Sequence, residues 1–176
     1  MSFKRLTTVV LTCAMVLTMA GCSKSIPDVG KKDFMKACDK AGYDDYMISE
    51  FDEEDLDDDM TYEAIVRDGN IMLVYCEFED EEAAHDYYGD IYASFMDLKK
   101  DKDASGSYKM FITKTSGYII FNGEVDDWDD MYLDGDVYFG IYFKEDYIVV
   151  AVSESDKSKD IKTINKFLEQ LELPTP

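Results

Sequence analysis

The sequence predicts an α+β fold built on a single antiparallel sheet of about six strands. Its helix and strand patterns follow the order α-ββ-α-ββ-ββ-α, and each pair of strands is joined by a short turn, as in a β-hairpin. Two of the strands, IMLVYCEF and YIVVAV, are apolar at nearly every position, so both of their faces must be covered. We therefore expect helices on both faces of the sheet, with the second and third helices on one face and the first on the other.

The first half of this pattern contains two helices and one hairpin. Residues 30–42 form an amphipathic helix that is expected to end at a glycine. The acidic connection of residues 43–60 is long for a structureless loop, so we expect a short helical turn inside it. The strands TYEAIV and IMLVYCEFE then flank the turn RDGN, whose Asp-Gly pair favours a hairpin. A second helix with one apolar side is expected over residues 81–99.

The second half contains two hairpins and the last helix. The strands YKMFITK and GYIIFNG form one hairpin, and VYFGIYF and YIVVAVS form the other. The last helix is expected over residues 157–173, because Pro174 stops it. A hairpin followed by a helix thus occurs twice. Asp80 and Asp156 take matching places before the two helices, where a carboxylate can accept free backbone N–H groups.

The N-terminus has the features of a secretory signal. Lys4 and Arg5 precede an uncharged apolar run at residues 6–20. This run of about 15 residues is shorter than the roughly 20 that a membrane-spanning helix needs. It predicts a signal peptide that is removed from the mature protein.

A cysteine follows this run in a recognisable setting. Met19-Ala20-Gly21-Cys22 resembles the lipobox of bacterial lipoproteins, in which two small residues precede the cysteine. The resemblance implies that the thiol of Cys22 receives a diacylglyceryl group and that the chain is cut just before this residue. Two acyl chains anchor a protein stably, whereas one binds a bilayer only marginally. The resemblance thus implies a secreted protein of the cell membrane, lipid-anchored on the extracytoplasmic face.

The likeness to lipoproteins extends beyond the leader. The segments KKDFMKACDKAGY, LVYCEFEDEEAAHDYYGDIYASF and VVAVSESDKSKDIKTINKFLEQL are similar to parts of small uncharacterised lipoproteins of Gram-positive bacteria. This likeness implies one α+β domain and no particular activity. We divide the chain into a signal peptide at residues 1–21, a lipidated cysteine with a short tether at residues 22–29, and a single acidic α+β domain at residues 30–176.

The charge of the chain argues against one class of partner. The sequence contains 39 acidic residues against 18 lysines and arginines, a net charge of −21. Removal of the leader takes away Lys4 and Arg5, which leaves 16 basic residues against 39 acids and a net charge of −23. Nucleic-acid binding depends on lysine and arginine beside phosphates, so no nucleic-acid partner is expected. A hydrophobic content of 46% nevertheless predicts a folded domain.

Two cysteines remain in the domain. Cys38 falls on the apolar stripe of the first helix, and Cys76 falls on one face of a strand. Outside the cell they could form a disulfide, or they could be two separate small residues of the core. The pattern favours two core residues and leaves the disulfide open.

A cluster of carboxylates between two strands raises the question of a divalent cation. A calcium ion would relieve the mutual repulsion of aspartates crowded into one loop. The aspartates of this cluster are Asp126, Asp127, Asp129, Asp130, Asp134 and Asp136. Their spacing does not fit an EF-hand loop, because Tyr132 and Ile141 fall where that loop needs acids. The alternative is a solvated surface without an ion, and we expect no resident cofactor.

No motif in the sequence indicates catalysis. His85 is the only histidine, which excludes a zinc site built on several histidines. Neither a G-x-S-x-G motif nor a phosphate-binding glycine motif occurs in the sequence. A hydrolase would need an open cleft lined by acids or by His85. We therefore expect a protein that is not an enzyme.

Three aromatic residues form a candidate binding surface. Trp128, the only tryptophan, lies in the run DDWDD and is expected to be exposed. It would either anchor a sugar or protein partner or cap one end of the sheet. Tyr138 and Tyr142 flank Gly140 on one face of a strand. This face is either a shallow groove or part of the core under the first helix.

Together these features predict a membrane-anchored extracytoplasmic lipoprotein whose domain has a binding or structural role. Its membrane contact is made through Cys22, and its further partner is an unknown protein or glycan. A calcium-dependent binding module is the first alternative. An extracytoplasmic hydrolase is the second.

Overall fold

The computed structural model describes residues 25–56 and 59–176. The lipobox residues Met19, Ala20, Gly21 and Cys22 lie outside this part of the chain, so the lipid anchor stays a prediction. Within the two described stretches, no helix is both long enough and apolar enough to cross a bilayer.

Three helices and seven strands make up the described fold. In chain order these are α1 (Lys31–Ala41), β1 (Ile48–Asp52), β2 (Met60–Asp68), β3 (Ile71–Phe78), α2 (Glu81–Asp101), β4 (Ala104–Ile112), β5 (Ser116–Trp128), β6 (Leu133–Lys144), β7 (Tyr147–Ser153) and α3 (Ser158–Gln170). The prediction of an α+β fold with one antiparallel sheet is confirmed.

The sheet has one strand more than the sequence predicted. Its strand order is β1-β2-β3-β7-β6-β5-β4, and every pair of neighbours is antiparallel. The additional strand, β1, lies inside the acidic connection and forms one edge of the sheet. Four of its five residues are exposed, so it shows no alternation of apolar and polar residues. The helical turn expected in the same connection is present, as two short 3-10 turns that flank β1.

β7 occupies the centre of the sheet, and all seven of its residues are buried. Its side chains point alternately into two separate cores. Those in the core on one face are Tyr147, Val149 and Ala151, and those in the core on the other face are Ile148, Val150 and Val152. A strand without a solvated face needs cover on both sides, and the helices supply it.

The helices are distributed over the two faces differently from the prediction. α1 and α3 lie together on one face, and α2 lies on the other, so the pairing of α2 with α3 was wrong. The ring of Phe167 in α3 meets the edge of Phe34 in α1 with 5.6 Å between centroids. Phe34 also packs on Tyr75 of β3 at 5.6 Å. An apolar stripe shows that a helix packs on the sheet, but it does not specify which face.

The two hairpin–helix units, β2-β3-α2 and β6-β7-α3, have opposite handedness. In both units the second strand of a hairpin leads into a helix, and β3 pairs antiparallel with β7. A half-turn about an axis normal to the sheet superimposes the two hairpins but leaves α2 and α3 on opposite faces. Two copies of one duplicated unit would keep the same hand. The repeated order of hairpin and helix therefore reflects a shared local pattern and not a structural repeat.

The helix starts differ in the same two units. Asp80 caps α2 as predicted, since its Oδ1 accepts the backbone N–H groups of Glu82 and Ala83 at 2.9 and 3.0 Å. Asp156 does not cap α3, contrary to the prediction. The Oγ of Ser155 instead accepts the N–H of Lys157 at 3.1 Å. The two aspartates thus occupy similar places in the sequence but different places in the structure.

The alternating strand directions give the sheet two distinct ends. The near end holds the β4–β5 and β6–β7 turns, and the far end holds the β2–β3 turn and the acidic loop, which we define as residues 126–136. β6 contains 12 residues and connects the two ends over about 36 Å. The end of α3 and residues 172–175 lie at the near end, where Pro174 and Pro27 line the same cleft.

Residues 25–29, which we call the entry segment, belong to the folded domain. Ile26 and Val29 are only 3% and 4% exposed and join the core under α1 and α3. The hydroxyl of Tyr147 donates to the carbonyl of Pro27, and Lys144 pairs with Asp28. The predicted division at residue 30 is therefore wrong. The packed domain begins at Ile26, because the entry segment supplies apolar side chains to the core.

We expect the entry segment to contribute measurably to stability. Ile26→Ala should lower the free energy of unfolding by about 2–4 kcal/mol, because it removes buried methyl groups and leaves a cavity. Urea unfolding of the mature chain would measure this loss. Met96→Ala, at an exposed position of α2, is the control and should change stability by less than about 0.5 kcal/mol. Equal effects of the two substitutions would contradict the packing of the entry segment.

Candidate functional site

A β-bulge at the end of β5 decides the position of Trp128. The register of β5 on β6 shifts between Val125 and Trp128, and Asp127 has a left-handed conformation with φ of 53°. The extra residue reverses the alternation of side chains along the strand. Val125 and Trp128 therefore both face the core on the α2 side, although they are three residues apart.

Trp128 is consequently a core residue and not an exposed one. It is 2% exposed, and its ring packs at 5.4 Å from Phe95 of α2 and at 5.5 Å from Phe139 of β6. Its Nε1 donates a hydrogen bond to the Oγ of Ser94 at 2.9 Å. The expectation of an exposed tryptophan was wrong. The indole closes the far end of the core, which was the alternative that the sequence left open.

The exposed aromatic residue of the acidic loop is Tyr132, which the sequence reasoning did not select. Its side chain is 91% exposed, and its backbone is left-handed with φ of 54°. Its neighbours Met131 and Leu133 pack against the core, so Tyr132 points away from the fold. The sequence signal for this arrangement is the run Met131-Tyr132-Leu133, in which two apolar residues flank the tyrosine beside a turn. The sequence-based prediction instead selected Trp128, which precedes this run by two aspartates.

All six predicted aspartates of the acidic loop are exposed, and they do not converge on one point. Within the loop, the N–H of Asp127 donates to the Oδ1 of Asp134 at 3.4 Å, and the N–H of Tyr132 donates to the carbonyl of Asp129 at 3.2 Å. In the described part of the chain, no three His, Cys, Asp or Glu side chains form a group that could hold a metal ion. The aspartates named as candidate ligands (Asp126, Asp127, Asp129, Asp130, Asp134 and Asp136) are thus exposed charges of the loop that also carries Tyr132.

Tyr138 and Tyr142 are buried, so the predicted groove on β6 does not exist. The ring of Tyr142 lies over Gly140, where an added Cβ would come within 2.6 Å of the ring. The hydroxyl of Tyr142 donates to the carbonyl of Pro174, and that of Tyr138 donates to Asn165 Oδ1 of α3 at 2.6 Å. Burial raises the pKa of Tyr142 well above its ordinary range. These tyrosines hold α3 and the C-terminal residues on the sheet.

The two cysteines of the domain lie on opposite faces of the sheet. Cys38 belongs to the core under α1 and α3, and Cys76 to the core under α2. Both are free thiols, so the disulfide alternative was wrong and the separate core positions are confirmed. Burial raises the pKa of the Cys38 thiol from 9.0 to about 12. The pKa of Cys76 is also raised, mainly by burial and further by the neighbouring carboxylate of Glu63.

His85 lies apart from both thiols. It sits on the flank of α2, where its ring meets the edge of Phe143 at 5.7 Å and its Nδ1 lies 3.4 Å from Asp86. Cys38 is on the other face of the sheet, and Cys76 is buried beside Glu63. The described residues therefore bring no cysteine nucleophile to this histidine.

Comparison with known proteins adds no relative to this picture. No family model, no curated protein and no solved structure matches the chain. The candidate site is consequently defined by its own residues. It is the far-end surface formed by Tyr132 and the surrounding aspartates of the acidic loop.

The buried thiols predict a loss of stability in alkali. The pKa of Cys38 is raised in the folded state from its ordinary value of 9.0 to about 12. The protonated thiol therefore makes its full contribution to the free energy of unfolding below pH 9.0, and this contribution is lost as the pH rises towards about 12. In this window each such thiol should reduce the free energy of unfolding by up to about 1.4 kcal/mol per pH unit.

Cys38→Ala should remove one of these two contributions and leave that of Cys76. Urea unfolding at pH 7.0, 9.0 and 10.0 under reducing conditions would measure the slope, and the pH 7.0 value isolates the effect of packing. Cys76→Ala serves as the matched variant on the other face. An alkaline slope that stays the same in Cys38→Ala would contradict the burial of its thiol.

Proposed function

We propose that this chain is a lipid-anchored extracytoplasmic lipoprotein whose domain binds a partner at its far end. The observation that carries the proposal is the position of Cys22. It ends an uncharged apolar run as Met19-Ala20-Gly21-Cys22, and the packed domain starts four residues later at Ile26. Cleavage before Cys22 would therefore remove no residue of the core.

The lipid would determine the location of the domain. Two acyl chains on Cys22 would contribute about 0.8 kcal/mol for each buried methylene, which is enough for stable attachment. The net charge of the chain is strongly negative, so the domain itself has no general attraction to anionic lipid. Attachment thus depends on the modified cysteine.

The far end is the best candidate for a contact with a partner. Among the residues that the structure describes, Tyr132 is the most exposed large apolar side chain, and it lies about 36 Å from the near end, where the entry segment joins the fold. Tyrosine is frequent at the centres of binding interfaces, where its ring is desolvated by the partner. The surrounding aspartates would favour a basic protein surface, and an aromatic ring can also stack on a sugar.

A binding or structural role is proposed in preference to catalysis. Both cysteines of the domain are buried: Cys38 is separated from His85 by the sheet, and Cys76 contacts the carboxylate of Glu63. The aspartates of the acidic loop are exposed, and the loop also exposes Tyr132. This arrangement suits recognition of a surface by charge and by one aromatic contact.

Replacement of the lipobox cysteine tests the anchor. We expect Cys22→Ser to leave the leader uncut and unmodified, whereas the wild-type chain should lose residues 1–21 and gain the mass of a diacylglyceryl group. Intact mass spectrometry of the membrane fraction would show both changes. Cys13→Ser, in the leader itself, is the matched control and should mature like the wild type. A wild-type chain with an unmodified Cys22 would overturn the proposal.

A photo-crosslinking amino acid at position 132 tests the partner surface. In cells, we expect it to capture a specific protein or glycan-bearing species. The control is the same amino acid at position 46, because Tyr46 is 84% exposed and lies near the opposite edge of the sheet. Identical products from the two positions, or none from position 132, would remove the acidic loop as a specific binding site.

A further inference from the structure

A second exposed surface lies at the near end, beside the point where the chain enters the fold. Phe111 at the end of β4 pairs with Tyr118 of β5, and their rings pack with 5.6 Å between centroids. Both side chains are only half-buried, and they lie on the face that α1 and α3 cover elsewhere. The exposed Lys114 occupies the turn between the two strands. We call Phe111, Tyr118 and Lys114 the near-end patch.

The near-end patch adjoins the entry segment. Phe111 and Ser116 line an open cleft of about 470 Å³ together with Ser25, Pro27 and Lys144. Ser25 is three residues from Cys22, so the covalent chain allows at most about 10 Å between their Cα atoms. A lipid on Cys22 would therefore bring the surface of the bilayer to the patch.

The connections around the patch hold it in place. The Oγ1 of Thr113 donates to the carbonyl of Ser116 at 2.8 Å and accepts its N–H at 3.1 Å, which closes the β4–β5 turn. The N–H of Glu145 in the β6–β7 turn donates to the carbonyl of Thr115 at 2.9 Å. Since residues 26–29 are also packed, little free chain remains between the lipid and the fold.

We infer that the near-end patch lies in the interfacial region of the bilayer and fixes the orientation of the domain. This inference rests on the proposed lipidation of Cys22. Aromatic rings and the long aliphatic stem of lysine are stable at the boundary between headgroups and acyl chains. The acidic loop would then point away from the membrane, where repulsion from anionic headgroups is smallest.

The charges near the patch define the kind of membrane that it fits. Lys144 is paired with Asp28, and Lys114 is accompanied by Glu145 and Asp146 of the neighbouring turn. The near end therefore carries no excess of positive charge. The contact is made by aromatic rings, and we expect it on zwitterionic lipid without any requirement for anionic lipid.

Tryptophan placed in the patch reports directly on this contact. The mature lipoprotein would be purified with its anchor, reconstituted in phosphatidylcholine vesicles and measured with lipids brominated near the headgroup. The tryptophans of Phe111→Trp and Lys114→Trp should both emit at shorter wavelength in vesicles than in buffer without lipid. Their emission should also be quenched by the brominated lipid. The buried Trp128 gives the same background in every variant.

Tyr132→Trp, at the far end, is the matched control and should remain unquenched. Each variant is accepted only if it unfolds with the cooperativity of the wild type. If the chain floats with the vesicles but Phe111→Trp and Lys114→Trp resemble Tyr132→Trp, the inference is overturned and the lipid anchor stands. A blue shift that depends on protein concentration and not on brominated lipid would assign the patch to a second copy and overturn it as well. A chain that does not float overturns the anchor and this inference together.

Discussion

The fold depends on a central strand that has no solvated face. All seven residues of β7 are buried between two neighbouring strands and two layers of helix. Such a strand cannot exist in a sheet with one face in water, because its apolar side chains alternate between both sides. Cover on both faces is thus a requirement of the sequence of β7. α1 and α3 cover one face of the strand, and α2 covers the other.

The terminal segments are held on this framework by buried tyrosine hydroxyls. Tyr147 donates to the carbonyl of Pro27, and Tyr142 donates to the carbonyl of Pro174. Both carbonyls belong to irregular backbone of partly buried prolines, so the tyrosine hydroxyls supply the hydrogen bonds that a strand or helix partner would supply elsewhere. Phenylalanine could fill the same volume but could not supply the donor. This explains why tyrosine, and not phenylalanine, occupies these inward positions.

The sequence was sufficient for the class of fold because the patterns that define it are long and regular. The continuous apolar runs of β3 and β7, and the turn at Asp68-Gly69, predicted a hairpin sheet covered on both sides. It was insufficient for β1, since an exposed edge strand needs hydrogen bonds from one neighbour only and carries no apolar pattern. The sequence also did not specify the face of the sheet on which α3 packs. It depends on the contact of Phe167 with Phe34, which lie far apart in the chain.

The candidate site was misread for a more local reason. Charged neighbours suggested that Trp128 is exposed, but one left-handed residue, Asp127, shifts the strand by one position and turns the indole inward. The same bulge leaves the flanking carboxylates in water, so burial of the tryptophan costs no desolvated charge. Tyr132 then emerges as the exposed ring, because Met131 and Leu133 on either side of it are drawn into the core. A single bulge therefore exchanges the roles of the two aromatic residues.

The two ends of the sheet combine opposite chemical characters on one rigid body. At the near end the entry segment is tied to β6 and β7, and the half-buried Phe111 lies beside it with Tyr118 packed against its ring. At the far end the acidic loop exposes its aspartates and Tyr132. Since β6 runs without interruption between them, an attachment at one end fixes the direction of the other. If Cys22 carries the proposed lipid, a domain that is packed from Ile26 onwards would have little freedom to turn its acidic end towards the bilayer, because a short connection restricts orientation more than a long flexible tether does.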